Sequence, residues 1–120
     1  MELQRKIIGC AIKVHKELGP GLLESIYELA MLIELQRCNL QTEKQKKIIV
    51  RYDGIEIDEH RLDLLVEKTV VIELKSVDRF DPVFQAQLLG YLKLGVYPVG
   101  LLINFNSRML KNGIKRMTIQ

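Results

Sequence analysis

The hydrophobic rhythm of the chain changes once, at Asn39, and that change constrains the fold more than any other feature. Before it, apolar residues recur at helical spacing: Leu3, Ile7, Ile8, Ala11, Ile12, Val14 and Leu18, then Leu22, Leu23, Ile26, Leu29, Ala30, Ile33 and Leu35. Gly19-Pro20-Gly21 divides the two runs, because glycine suits a left-handed helix end and proline cannot continue the turn. Helices are therefore predicted over residues 2–18 and from about Leu22 to Cys38, joined by a short turn. After Asn39, Lys47 to Tyr52 is rich in β-branched residues and predicts a strand. Asp53-Gly54 predicts a hairpin turn, and Ile55 to Val66 the second strand. Glu67-Lys68-Thr69 separates it from a third strand over Val70 to Lys75. Pro82 opens a helix running to about Leu94, ended by Gly95 and Pro98. Val99 to Phe105 is apolar enough for a buried central strand, and Met117-Thr118-Ile119 for a short edge strand. The order α, α, β, β, β, α, β predicts an α/β architecture: a mixed sheet with helices packed on its faces.

A chain of 120 residues suits a single domain, 1–120, with a core of its own. The net charge of +3 permits a polyanionic partner without demanding one. Cys10 and Cys38 are too few for a disulfide framework and read as reduced core thiols. Glu2, Arg5, Lys6 and Lys13 interrupt the first apolar segment, so neither a signal peptide nor a membrane span is expected. The expected compartment is the cytoplasm.

Three charged residues sit where packing alone would not place them. Asp63 interrupts Leu62-Asp63-Leu64-Leu65-Val66, and Glu73 and Lys75 interrupt Val70-Val71-Ile72-Glu73-Leu74-Lys75. If the hairpin turn is centred on Lys68, Val66 faces Val70, Leu64 faces Ile72, and Asp63 faces Glu73. Opposed residues have Cβ atoms only ~5 Å apart, so the two carboxylates repel unless something neutralises them. A divalent cation does that: Mg²⁺ takes one or two carboxylates and keeps water and phosphate oxygens for the rest of its shell. Lys75, two residues beyond Glu73, points to the same face and could stabilise phosphate charge or orient an attacking water. The same three residues could equally form a solvated strand face with an ion pair, and a register slip of one residue would separate the carboxylates.

Asp63 followed one hairpin later by Glu73-Leu74-Lys75 resembles the PD-(D/E)XK nuclease superfamily. Gly21-Leu22-Leu23-Glu24-Ser25-Ile26-Tyr27 resembles the G-x-x-E-x-x-Y signature of its small GxxExxY family. Val14 to Gly21, Arg61 to Val66, Gln87 to Leu92 and Gly100 to Phe105 look like further blocks of that family. The resemblance implies a restriction-endonuclease-like αβββαβ core with an extra N-terminal helix. It implies Asp63 and Glu73 as metal ligands, the Leu74 backbone carbonyl completing the shell, and Lys75 as the catalytic lysine. Glu24 matches an acidic residue that superfamily members place on the first core helix near the metal. Gln87 with Tyr91 resembles the Q-x-x-x-Y motif of RecB-like nucleases, and at i and i+4 the two share a helix face. The residue before Asp63 is Leu62, where the superfamily name has proline.

The bland readings stand beside these. Glu24 is favoured near a helix N-terminus by the dipole alone. Tyr27 and Tyr91 are read as support, by packing or a hydrogen bond to the site. His15 and His60 are too few and scattered for a zinc site, and strict alternation puts His60 on the face opposite Asp63. Lys44, Lys46, Lys47 and Arg51 form a basic run that is either a solvated face or a contact to phosphate backbone. The expected function is a Mg²⁺- or Mn²⁺-dependent nuclease acting on nucleic acid, with DNA the first choice. The alternative is an inactive nuclease-fold module that binds nucleic acid or a protein. The apolar fraction of 48% leaves surface for a homodimer or a place in a larger assembly.

Overall fold

The computed structural model describes residues 2–119. Helices α1 (Glu2–Leu18) and α2 (Glu24–Arg37) are followed by strands β1 (Thr42–Tyr52), β2 (Ile55–Val66) and β3 (Val70–Lys75), helix α3 (Pro82–Gly95) and strand β4 (Val99–Asn104). A single 3₁₀ turn, Leu110–Gly113, leads into β5 (Ile114–Thr118). The strands form one sheet in the order β1-β2-β3-β4-β5. β3 and β4 run parallel, and the other neighbours run antiparallel. Three helices on a five-stranded mixed sheet make an α+β fold of the restriction-endonuclease-like kind.

The sheet is buried on both faces. On one face α1 and α2 bring Ile7, Ala11, Val14, Tyr27, Met31 and Leu35 against Leu64, Ile72, Leu74, Leu101 and Ile103. On the other, Leu88 and Leu92 of α3 pack against Ile48, Leu62, Leu65, Val71 and Leu102. The central strands are accordingly almost continuous apolar runs, as double-sided burial requires. Among the described residues no helix is long and apolar enough to cross a membrane.

The turn between the first two helices is held by a side chain. Gly19 takes a left-handed conformation (φ 69°), and its N–H closes the helix on the His15 carbonyl at 2.8 Å. The Tyr27 hydroxyl donates to the Gly19 carbonyl at 2.6 Å and accepts from the Leu22 N–H at 3.1 Å. Its ring is fully buried and stacks on Phe105 at 4.5 Å. The sequence expected Tyr27 to serve by packing or by a hydrogen bond to the site. Its ring packs, and its polar contacts go to the turn that launches α2, so its effect on Glu24 is indirect. Tyr27→Phe keeps the stack and strands both backbone partners, so it is expected to cost about 1–3 kcal/mol in urea unfolding.

Several boundaries differ from expectation. β1 begins at Thr42, five residues before the β-branched run, because Thr42 to Lys44 pair with Leu64 to Val66. A formed partner strand overrides weak local propensity. β5 starts at Ile114 and ends at Thr118 because it pairs with Val99 to Ile103. α3 continues through Gly95, and Val96 takes the left-handed position (φ 58°). A Cβ on Gly95 would meet the Tyr97 ring at 2.5 Å, so the glycine is spent on close packing and a β-branched residue carries the strain. Val96 is 78% exposed. Val96→Asn is therefore expected to raise stability by about 1 kcal/mol, read as an upward shift of Tm.

The cysteines also depart from expectation. Cys10 is buried in the core, but Cys38 is exposed at the end of α2, with the two sulfurs 3.7 Å apart. Burial, then the neighbouring Cys38, pushes the Cys10 thiol up to about 12.

Candidate functional site

β2 and β3 pair as Val66 with Val70, Leu65 with Val71, and Leu64 with Ile72. That is the register of a hairpin centred on Lys68, and it carries Asp63 opposite Glu73. There the backbone ladder stops and the side chains take over. The Leu74 N–H donates to Asp63 Oδ2 at 2.8 Å, and the Asp63 N–H makes a long contact with Glu73 Oε2 at 3.4 Å. Each carboxylate caps the opposite strand where the two diverge. Leu74 thus meets the site through its backbone N–H, while its side chain is buried on the other face.

The diverging strands open a cleft with a water-accessible volume of about 100 Å³. Asp63, Glu73 and Lys75 line it, with Glu24 from the start of α2. α3 supplies Phe84, Gln87, Leu88 and Tyr91, which recur at helical spacing along one face. Glu24, Asp63, Glu73, Lys75, Gln87 and Tyr91, far apart in sequence, therefore share one cavity. Lys44, Lys46, Lys47 and Arg51 do not line it. They lie on edge strand β1, where Lys46 is 3.5 Å from Glu43 and Lys47 is 3.5 Å from Glu59. Charged side chains on an edge strand discourage edge-to-edge pairing, which accounts for them without a ligand.

The carboxylates are electrostatically uncomfortable. Glu73 is only 8% exposed. Burial, followed by repulsion from Asp63 and a hydrogen bond with it, holds the Glu73 carboxyl well above the ordinary carboxylate range. The Asp63 N–H and Lys75 pull the other way and are outweighed. Lys75 does not form an ion pair with the carboxylates; its ammonium lies 4.4 Å over the Phe84 ring. Glu28, one turn beyond Glu24, is also raised, by burial and then by Asp63, and Gln45 donates to it at 2.9 Å.

His60 belongs to the cleft, contrary to the alternation argument. Its Nε2 lies 3.1 Å from Glu73 Oε1, and its ring stacks on Tyr91 at 3.7 Å. The reason is a break in the pleat. Leu62 and Leu65, three positions apart, both pack on the α3 side, so alternation fails between them. At that point Gln45 on β1 adopts φ 55°, and Gln45 and Asp63 drop out of the pairing that runs on either side of them. No glycine marks the break, so nothing in the sequence announced it. Phe84 was also missed, although its spacing from Gln87 and Tyr91 could have found it.

Donor chemistry tests whether a divalent cation suits the cleft. Two carboxylates face one another with no lysine or arginine paired to either, among the described residues. Also among the described residues, no three His, Cys, Asp or Glu side chains converge into a closed ligand set. The arrangement fits an ion that takes two carboxylates and fills its shell with water, as Mg²⁺ does. It does not fit a structural zinc site, which needs four protein ligands.

Comparison with known proteins adds three findings. The family model of the PD-(D/E)XK nuclease superfamily matches residues 1–117. Among solved structures, the crystal structure of SSO0001 is similar, with a TM-score of 0.53 at 23% identity, covering 80% of this chain and 48% of that one. This chain thus spans about half the length of that protein, and the likeness is one of fold. No curated protein matches.

Proposed function

The chain belongs to the PD-(D/E)XK nuclease superfamily, and from that premise we propose that it is a divalent-metal-dependent nuclease hydrolysing phosphodiester bonds in nucleic acid, with DNA as the substrate to test first. Within the superfamily we assign it to the GxxExxY family on Gly21, Glu24 and Tyr27. The observation that carries the proposal is the cleft in which Asp63 and buried Glu73 face each other with Lys75 beside them.

In this reading Asp63 and Glu73 hold Mg²⁺ or Mn²⁺, with the Leu74 carbonyl and Glu24 reaching the ion or its waters. When bound, the cation supplies Lewis-acid polarisation of a phosphoryl oxygen. Lys75 swings from the Phe84 face to stabilise negative charge developing on the phosphate. Gln87 and Tyr91 orient the substrate or the attacking water from α3. The apolar walls, Leu88 and Leu102, restrict bulk water and so strengthen these interactions.

The experiment is incubation with linear, circular and single-stranded DNA and with RNA, in Mg²⁺, Mn²⁺ or chelator. The proposal expects metal-dependent cleavage and calorimetric Mn²⁺ binding that Asp63→Asn abolishes. Nucleic-acid binding without cleavage, unchanged by chelator or by Asp63→Asn, establishes the non-catalytic module instead.

A further inference from the structure

Glu73 has three side-chain torsions and sits at the mouth of a diverging hairpin. Its productive position needs something to hold it. Apart from Asp63, the partner at hydrogen-bond distance is His60, whose Nε2 lies 3.1 Å from Oε1. His60 is itself held. Its ring lies nearly parallel to Tyr91, with 10° between the planes and centroids 3.7 Å apart. Tyr91 is anchored on α3, whose Leu88 and Leu92 are buried in the core beneath it. A rigid helix therefore fixes a ring, the ring fixes an imidazole, and the imidazole meets one carboxylate oxygen.

We propose that His60 is a positioning residue for the carboxylate pair: clamped by Tyr91, it holds Glu73 Oε1 through Nε2 and leaves Oε2 turned toward Asp63 to receive a divalent cation. This inference rests on the metal-dependent reading of the cleft. It adds a residue that neither the family's signature nor strand alternation points to. The division of labour is visible in the contacts. Asp63 has Oδ2 tied by the Leu74 N–H, and Glu73 has Oε1 tied by His60. The other Glu73 oxygen, Oε2, has the longer 3.4 Å contact from the Asp63 N–H, the weakest of these ties and the one an arriving cation would replace. A ligand whose orientation is already fixed loses less side-chain entropy when the ion arrives. Removing such an outer hydrogen bond typically weakens metal affinity by about 10–100-fold.

The stack and the hydrogen bond can be separated. His60→Phe keeps a flat ring against Tyr91 and removes Nε2. His60→Gln places an amide nitrogen near the same point and gives up the aromatic stack. Tyr91→Leu leaves His60 in place without its clamp. Mn²⁺ affinity is measured by calorimetry for the wild type and all three, with thermal unfolding in chelator as the folding control. The expected result is a loss of about 10–100-fold for His60→Phe, substantial recovery in His60→Gln, and an intermediate loss for Tyr91→Leu, with Tm in chelator little changed. Wild-type affinity in His60→Phe overturns the inference while leaving the metal reading intact. Absence of Mn²⁺ binding by the wild type overturns both. If His60→Phe does not fold, Tyr91→Leu and His60→Gln decide: equal wild-type affinity in both overturns the role.

Discussion

Lys75→Met is expected to lower metal-dependent cleavage by about 10²–10³-fold, the usual effect of deleting one group that stabilises transition-state charge. Methionine keeps an unbranched apolar stem against Phe84, which lies under the Lys75 ammonium. The variant therefore removes the charge with little loss of packing. Mn²⁺ binding should survive, because the carboxylates rather than the lysine supply the ligands. It should even strengthen slightly at low salt, since a positive neighbour is gone. Lys75→Arg should not restore the rate: guanidinium is a broad planar fork, whereas the ammonium acts as a compact point charge. Cleavage time courses at saturating substrate, beside Mn²⁺ titrations of the same preparations, give both readouts. Equal cleavage by wild type and Lys75→Met removes the lysine from the chemistry.

The second large effect concerns stability without metal. Glu73 is buried beside Asp63, and its carboxyl is held well above the ordinary range. A group whose folded-state pKa is raised contributes stability that is fully present below its unfolded value. That stability is lost as pH rises through the folded value. In chelator this contribution therefore falls between about pH 4.5 and the alkaline range. Glu73→Gln removes the titration and keeps a neutral group of the same shape, whose amide can donate to Asp63. Expected is a gain on the order of several kcal/mol over wild type at pH 8, shrinking toward pH 5. Urea unfolding of both proteins across that range measures the difference directly. A difference that stays flat with pH defeats the account. The same substitution should abolish Mn²⁺ binding, so one residue would trade stability for function in opposite directions.

Much of this was legible early because it depends on local chemistry. The helix stop at Gly19, the Asp53-Gly54 turn and the Pro82 helix start each follow from backbone preferences that the residue carries anywhere. The centring of the β2–β3 hairpin on Lys68 was legible too. The Glu67-Lys68-Thr69 break suggested that centre but left a one-residue slip open, and the pairing of Leu64 with Ile72 and Val66 with Val70 is the register that brings Asp63 to Glu73. Lys75 follows from Glu73 by the two-residue period of the same strand.

What the sequence determined by itself, then, is the order of elements, because that rests on periodicity within each segment, whereas the facing of Asp63 and Glu73 it could only propose. Tertiary structure decided the rest. The strand ends at Thr42 and Ile114 were set by partners, since a backbone that pairs gains hydrogen bonds whatever its propensity. Tyr27 was committed to the Gly19 turn because burial obliges its hydroxyl to find an acceptor. His60 entered the cleft because the pleat breaks opposite Gln45, an event that strict alternation cannot foresee. The displacement of Glu73 from ordinary carboxylate chemistry was likewise decided by depth. Charge is visible in a sequence, but its cost depends on how much water the fold removes.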